Sequence, residues 1–260
     1  MDMLKKTSRT FYIPISRLTS PLKEAVASGY LCMRAIDEVE DHELLPEQAK
    51  TELLRAIGGA CREEDPPFRL GAVFSAFPDR ERLPDVTLAL PDWILLCPPT
   101  ARIIITRYTA EMAEQMADWA DTRWEIRTET DLDEYTYSVA GMVGEMLSEL
   151  WLWHDDTDSD MKKAVAFGRG LQSVNIIRNR KEDLARGVDF FPAGWGLDDM
   201  IRYTRKNLQL ADAYIAELKQ GPARDFCKIP LALAHATLHI IAAGGAKLTR
   251  TAVMDIVDNI

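Results

Sequence analysis

The chain has 260 residues, a length that suits one large domain or two small ones. Hydrophobic residues make up 47% and charged residues 28%, which excludes a disordered or low-complexity protein. The formal net charge of −10 argues against broad electrostatic adhesion to nucleic acid or anionic lipid. It does not exclude an anionic ligand, because a bound divalent metal can reverse the sign of an acidic cleft.

Nothing in the chain predicts secretion or a membrane span. The four cysteines form no CxxC pair, and no signal peptide precedes the first polar residues, so we expect a reducing, cytoplasmic location. The most apolar windows, 86–97 and 230–243, are too short to cross a bilayer. A peripheral membrane contact stays open, and the sequence does not indicate an oligomeric state.

Helical patterns dominate the chain in order. Ser20 and Pro21 predict a helix cap and first turn, and apolar spacings of one, three and four residues continue to a stop at Pro46. A second helix is predicted over 47–62, followed by turns and short helical pieces over the proline-rich stretch 63–100. Further helices are predicted at 100–121, 131–153, 160–186, 197–219, 229–242 and 246–258. Because strand alternation and a dividing linker are absent, we expect residues 1–260 to form a single all-α domain.

The first unusual polar pattern is an acidic run in the first long helix. Asp37 and Asp41 lie one turn apart on one helical face, where like charges repel each other. Mg²⁺ prefers such oxygen ligands and commonly bridges carboxylate to phosphate. Arg34, one turn earlier, could hold a phosphate oxygen. The alternative interpretation is an ordinary solvated helix end.

The second pattern lies in the predicted helix 160–186. Asn175, Asn179 and Asp183 recur every fourth residue as one polar stripe, and Arg178 lies on a neighbouring stripe. Buried polar groups are costly without partners, so such a stripe often lines a wet or liganded cavity. A purely structural ladder of amides is the alternative.

Two such helices in one all-α chain suggest a metal–diphosphate site between facing helices. Each Mg²⁺ would bridge protein carboxylates and a diphosphate, and basic side chains would neutralise the remaining charge. Ionisation of an allylic diphosphate would then give a carbocation.

Four blocks of residues resemble the squalene/phytoene synthases, the head-to-head prenyltransferases of the isoprenoid synthase fold. Ser8-Arg9-Thr10-Phe11 resembles the N-terminal S-R-[ST]-F element, and residues 34–41 resemble the first aspartate-rich motif, R-x-x-D-x-x-[ED]-D. Residues 135–144 are similar to Y-x-[YH]-x-V-A-G-x-V-G, and residues 171–183 to L-Q-x-x-N-I-I-R-D-x-x-E-D. Asp189-Phe190-Phe191-Pro192 matches the end of this second acidic block. The order and spacing agree across residues 8–192.

This resemblance implies a fold, a set of site residues and a reaction. The fold would be a single-domain isoprenoid synthase fold with a central helical cavity. The implied metal ligands are Asp37, Asp41, Asn175, Asn179 and Asp183. The implied substrate-binding residues are Ser8, Arg9, Phe11, Arg34, Val139, Gly141, Gln172 and Arg178. Tyr135 corresponds to a tyrosine implicated in ionisation and rearrangement, and Asp37, Asp41 and Asp183 would serve catalysis through the metal. Val139, Gly141, Val143 and Gly144 would line a prenyl channel or only permit close helix packing.

One position departs from the family pattern. Asn179 stands where the second motif usually begins with aspartate, which replaces an anionic metal ligand with a neutral amide. An amide oxygen still coordinates a hard cation, though more weakly. Water could then capture the carbocation, so that a prenyl alcohol is released.

The expected function is therefore a Mg²⁺-dependent condensation of two prenyl diphosphates, farnesyl diphosphate first, through a cyclopropyl diphosphate to a squalene-like product. The alternative enzyme is a prenyl diphosphate phosphatase, and a third hypothesis is a catalytically silent relative that binds prenyl diphosphate or a protein partner. NADPH use stays open, since no sequence motif supports it.

Overall fold

The computed structural model describes residues 1–245 and 248–260, and the side chains of Arg9 and Thr10 lie outside the described part. The described residues are mostly helical, with no strand among them, which confirms the all-α prediction. They divide into two compact units, Met1–Arg123 and Trp124–Ile260. The prediction of a single domain with a central cavity stays a prediction.

The first unit is built around α3 and α8. Its helices are α1 Asp2–Thr7, α2 Arg9–Arg17, α3 Leu22–Glu40, α4 Glu47–Arg62, α5 Pro66–Ala76, α6 Asp85–Leu88, α7 Leu90–Leu96 and α8 Arg102–Asp121, with a 3₁₀ turn at Arg80–Arg82. Helix α8 packs against α4 and α3. Leu31, Ile36, Leu54, Ile57 and Ile105 are fully buried there. Their spacing within each helix is the apolar period from which the helices were predicted.

Helix α3 of this unit differs from the prediction at both ends. The N-cap of α3 is Pro21, without a side-chain cap, and the Ser20 hydroxyl instead donates to the Glu24 carboxylate at 2.5 Å. The same helix ends at Glu40, six residues before the predicted stop at Pro46. Helix α4 spans the predicted residues. The stretch 63–100 consists of short helices, as its prolines predict.

The second unit is built around α11. It contains α9 Glu129–Thr136, a π-helical segment Tyr137–Gly141, α10 Met142–Asp155, α11 Met161–Ala185, α12 Leu197–Glu217, α13 Pro222–Ala242 and α14 Arg250–Asp258. Helix α11 packs against α10, α12 and α13. Helix α13 starts seven residues earlier than predicted and carries Pro230 inside it. The predicted helix 131–153 is divided by the π-helical segment.

Buried hydrogen bonds fix α9 and α10 within this unit. The Tyr203 hydroxyl donates to Asp133 Oδ1 at 2.7 Å and lies 3.2 Å from the Thr136 hydroxyl. The Tyr214 hydroxyl lies 2.7 Å from the Ser148 hydroxyl and accepts from Trp151 Nε1 at 3.2 Å. Polar groups removed from water are satisfied in this way. No described helix is both long and apolar enough to cross a membrane.

Candidate functional site

The acidic motif of the first unit lies at the C-terminal end of α3. The backbone N–H of Asp41 donates to the Asp37 carbonyl at 2.8 Å, so the two carboxylates are one turn apart, as predicted. The Asp37 side chain is 34% exposed, and Asp41 is exposed. The carboxyl end of a helix disfavours negative charge. This pair of carboxylates therefore favours a bound cation.

The environment of Asp37 opposes its ionisation. Burial raises the pKa of Asp37 to about 7; the positive charge of Arg34 opposes this rise, and the negative charges of Asp41 and Glu38 add to it. A divalent cation on the carboxylate would offset the repulsion. The group is thus suited to bind metal and costly to keep charged without it.

One hydrogen-bond donor of Arg34, its Nε, has no partner among the described residues. The guanidinium forms ion pairs with Glu38 and, at 3.9 Å, with Asp37. The Nε itself is buried. A buried donor without an acceptor is unfavourable. An anionic oxygen placed beside α3 would satisfy it, which fits the predicted role of Arg34 in binding diphosphate.

The N-terminal element lies against the same helix. Ser8 is the N-cap of α2, and its hydroxyl accepts from the Phe11 N–H at 3.1 Å. The Phe11 ring lies 5.6 Å from the Tyr30 ring of α3. The structure therefore brings Ser8 and Phe11 next to the helix that carries Arg34 and Asp37. The predicted side-chain role of Arg9 lies outside the described residues.

Tyr30 connects these groups, and it is not among the site residues predicted from the sequence. Burial raises the pKa of Tyr30, while hydrogen bonds with the side chains of Ser8 and Thr7 and the charge of Arg34 oppose the rise. Tyr30 lies one helical turn before Arg34. That spacing places a hydroxyl on the polar face, and it is the signal that could have identified the residue.

The donor set of α3 fits Mg²⁺ better than a metal held by protein alone. Among the described residues, no group of three or more His, Cys, Asp or Glu side chains is placed to hold a metal ion. Mg²⁺ typically takes one or two carboxylates and completes its shell with water and substrate phosphate. Asp37 and Asp41 supply the carboxylates for such a shell.

The polar stripe of the second unit lies on α11, as predicted. Asn175 and Asn179 are half-buried, and Asp183 is 7% exposed. The Asn175 amide donates to Gln172 Oε1 at 3.4 Å. Four of the predicted residues of this helix therefore face a partly enclosed environment, while Arg178 is exposed.

Two of the predicted metal ligands on α11 accept hydrogen bonds from arginines. Arg178 Nε donates to Asn179 Oδ1 at 3.1 Å, and Arg186 Nη2 donates to Asp183 Oδ1 at 2.7 Å. Cations at these oxygens compete with a metal for the same lone pairs. The stripe is therefore a weaker metal site than the pair of carboxylates on α3.

Tyr135 is buried in the second unit. It is 5% exposed, and its ring stacks on Phe190 with the centroids 4.6 Å apart and the planes 17° apart. The π-helical segment that begins at Tyr137 follows within two residues. Short π-helical segments inside α-helices are frequent at functional sites. The local structure thus supports a functional role for this motif.

Gly144 is required for helix packing. A Cβ atom there would meet the Ala164 carbonyl oxygen at 2.0 Å, so α10 and α11 can approach only with glycine. A Cβ atom on Gly141 would lie 3.1 Å from Tyr137 and Val165 side-chain atoms. Close packing accounts for Gly144. The lining of a prenyl channel by Val139 and Gly141 stays a prediction.

The chain matches known proteins along most of its length. The family model described as squalene/phytoene synthase matches residues 4–196. Squalene synthase of Eremothecium gossypii is 29% identical over 97% of this chain and 63% of its own length. Squalene synthase of Schizosaccharomyces pombe is 29% identical over 91% of this chain and 58% of its own length. The chain thus spans less than two thirds of these curated relatives.

A solved structure gives the same result for the fold. The complex of TcSQS with the ligand E5700 matches with a TM-score of 0.80 and 25% identity, over 99% of this chain and 83% of that chain. The agreement confirms the predicted all-α fold class.

Proposed function

The chain belongs to the squalene/phytoene synthase family, and we propose that it condenses two prenyl diphosphates head to head. Farnesyl diphosphate is the proposed substrate, and the product is squalene-like, formed through a cyclopropylcarbinyl diphosphate. The observation that carries the proposal is the cluster on α3. Two carboxylates lie one turn apart, and Arg34, paired with Asp37, has a buried Nε without a hydrogen-bond partner among the described residues.

The proposed roles follow from the donors that each residue offers. Asp37 and Asp41 would hold Mg²⁺, which would supply Lewis-acid neutralisation of the leaving diphosphate. Arg34 Nε would donate to a diphosphate oxygen, and Ser8 and Tyr30 would offer hydroxyl groups beside it. On α11, Gln172 and Arg178 would donate to diphosphate, and Asn175, Asn179 and Asp183 would contribute oxygens to a weaker metal site.

The chemical step needs a good leaving group and a protected cation. The allylic C–O bond would break with its electron pair passing to the diphosphate oxygen. The double bond of the second substrate would attack the resulting carbocation, and loss of a proton would close the cyclopropane ring. Tyr135, buried against Phe190, would stabilise positive charge with its ring.

A hydrolytic reaction is the second candidate, favoured by one observation. Asn179 supplies a neutral amide whose oxygen already accepts from Arg178. If α11 holds metal weakly, the first diphosphate would ionise before a second substrate is bound. The carbocation would then have no prenyl double bond to react with. Water would then add to the carbocation and release a prenyl alcohol.

Product identification tests the proposal. The purified protein is incubated with farnesyl diphosphate and Mg²⁺, with and without NADPH, and the products are identified by mass spectrometry. A thirty-carbon product supports condensation, and farnesol alone supports the hydrolytic candidate. Binding of farnesyl diphosphate without turnover would overturn both and support a silent binding protein. Asp92→Asn, an exposed substitution on α7, serves as the control that retains activity.

A further inference from the structure

An arginine of α11 contacts the segment between α11 and α12. Residues 188–192 form no regular helix, and they include the Asp-Phe-Phe-Pro element. Arg180 Nε donates to Asp189 Oδ1 at 3.2 Å, and Arg180 Nη2 donates to Asp189 Oδ2 at 2.8 Å. This two-point contact fixes both the distance and the orientation of the Asp189 carboxylate.

The same guanidinium also covers an aromatic ring of the segment. The Arg180 guanidinium carbon lies 3.7 Å from the Phe191 ring centroid, and the Phe191 N–H donates to Asp189 Oδ1 at 3.1 Å. The ion pair is about one-third exposed, so its charge alone contributes little. The planar fork and the ring contact together define one conformation of the segment.

The segment in turn contacts Tyr135. Phe190 stacks on the Tyr135 ring, and Phe190 and Phe191 are 8% and 4% exposed. Tyr135 itself lies near the end of α9, just before the π-helical segment. One face of the Tyr135 ring is therefore set by a residue of an irregular segment. Backbone hydrogen bonds from Val188 to Asp183 and from Ala193 to Arg127 hold the ends of this segment, and Arg180 holds its middle through Asp189.

We propose that Arg180 is a positioning residue that orients Tyr135 through Asp189 and Phe190. The inference rests on the proposed function for its catalytic consequence, because it assumes that the Tyr135 ring acts on the carbocation. Its structural part, that Arg180 determines the orientation of the Tyr135 ring, stands independently. Lysine would keep the charge at position 180 but lose the fork and the flat face that contacts Phe191.

The structural part is tested by ¹⁹F NMR of the full chain labelled with 3-fluorotyrosine. Tyr135→Phe identifies the Tyr135 resonance, and Phe190→Leu shows how far it shifts when the stacked ring is removed. We expect Arg180→Lys to shift or broaden the Tyr135 resonance in the same direction as Phe190→Leu. Arg55→Lys, which alters an exposed ion pair of the first unit, should leave it unchanged. An unchanged Tyr135 resonance in folded Arg180→Lys overturns the proposal.

The catalytic part is tested by steady-state kinetics and product analysis. We expect Arg180→Lys to lower kcat roughly tenfold through misplacement of Tyr135, with KM changed by less than about twofold. The released prenyl alcohol should rise relative to the condensed product, whereas Arg55→Lys should match the parent protein. Unchanged kcat and product ratio would overturn the catalytic part. If the parent protein forms no condensed product, the proposed function fails, and the NMR result still decides the role of Arg180.

Discussion

Gly168 of α11 lies so close to Ala140 of the π-helical segment that a Cβ atom at position 168 would meet the Ala140 carbonyl oxygen at 2.0 Å. Gly144 makes the reciprocal approach, since its Cβ would meet the Ala164 carbonyl oxygen at the same distance. The two helices therefore pack backbone against backbone. The position of the π-helical segment, and of Tyr135 before it, depends on these two glycines.

We predict that Gly168→Ala destabilises the protein. The added methyl group must displace a backbone carbonyl, and overpacking of this kind costs about 1–3 kcal/mol. Thermal unfolding should show a melting temperature several degrees lower. Gly59→Ala is the matched control. Gly59 lies on the exposed face of α4, and a Cβ atom there would meet nothing within 4 Å. That variant should gain roughly 0.5–1 kcal/mol, and equal effects at both positions would contradict the packing account.

The fold class follows from the sequence, but the interruption in the second unit does not. Helix α4 ends where Arg62 precedes the acidic, proline-containing run, and its boundaries could be predicted. The π-helical segment has the same apolar spacing as a continuous helix. Gly168 of α11 approaches this segment closely at Ala140, a tertiary contact that no local pattern encodes.

We predict that Asp37→Asn stabilises the metal-free protein at high pH. The folded-state pKa of Asp37 is about 7, above the ordinary value of 3.8, so the folded protein holds a proton that the unfolded chain loses. Stability is therefore greatest below about pH 4 and is lost as the pH rises towards 7. Asparagine does not titrate, so the Asp37→Asn variant does not lose stability in this way as the pH rises.

Thermal unfolding in EDTA measures the effect. The melting temperature of Asp37→Asn should exceed that of the parent at pH 8 by about 2 °C or more, and the difference should vanish near pH 4. Asp92→Asn, an exposed residue of the same unit, should show no pH-dependent difference. A lower melting temperature of Asp37→Asn at pH 8 would mean that its carboxylate stabilises the fold.

We predict that Tyr30→Phe weakens substrate binding. The hydroxyl group bonds the Ser8 and Thr7 side chains, and its loss removes about 0.5–1.5 kcal/mol of support for the N-terminal element. KM for the prenyl diphosphate should rise by roughly two- to tenfold with a smaller change in kcat. Tyr214→Phe is the control, because it removes a buried hydroxyl bonded to Ser148 and Trp151 in the other unit. It should lower the melting temperature without raising KM; equal KM changes would refute a local role.

We predict that Asn179→Asp strengthens the metal site on α11. A carboxylate binds a hard cation more tightly than an amide, and its second oxygen stays available to a metal when the first accepts from Arg178. The Mg²⁺ concentration for half-maximal activity should fall, and condensed product should rise relative to prenyl alcohol. Gln220→Glu makes the same charge change at an exposed turn. If both variants respond alike, net charge and not metal binding explains the result.

The candidate site could be predicted from the sequence where its residues recur at a fixed helical spacing. Asp37 and Asp41 lie one turn apart in the structure because a fixed helical period places them so. Tyr30 was missed, since an aromatic residue in an apolar pattern fits a core equally well. The arginine partners of Asn179 and Asp183 depend on side-chain rotamers, and the contact of Arg180 with Phe191 depends on an irregular segment.

Mixed-isotope labelling tests the central claim most directly. The protein is incubated with Mg²⁺, NADPH and equal amounts of unlabelled and fully deuterated farnesyl diphosphate, and the products are weighed by mass spectrometry. Head-to-head condensation predicts thirty-carbon species in which the form with one labelled and one unlabelled half is the most abundant. Fifteen-carbon products alone, each wholly labelled or wholly unlabelled, would contradict it.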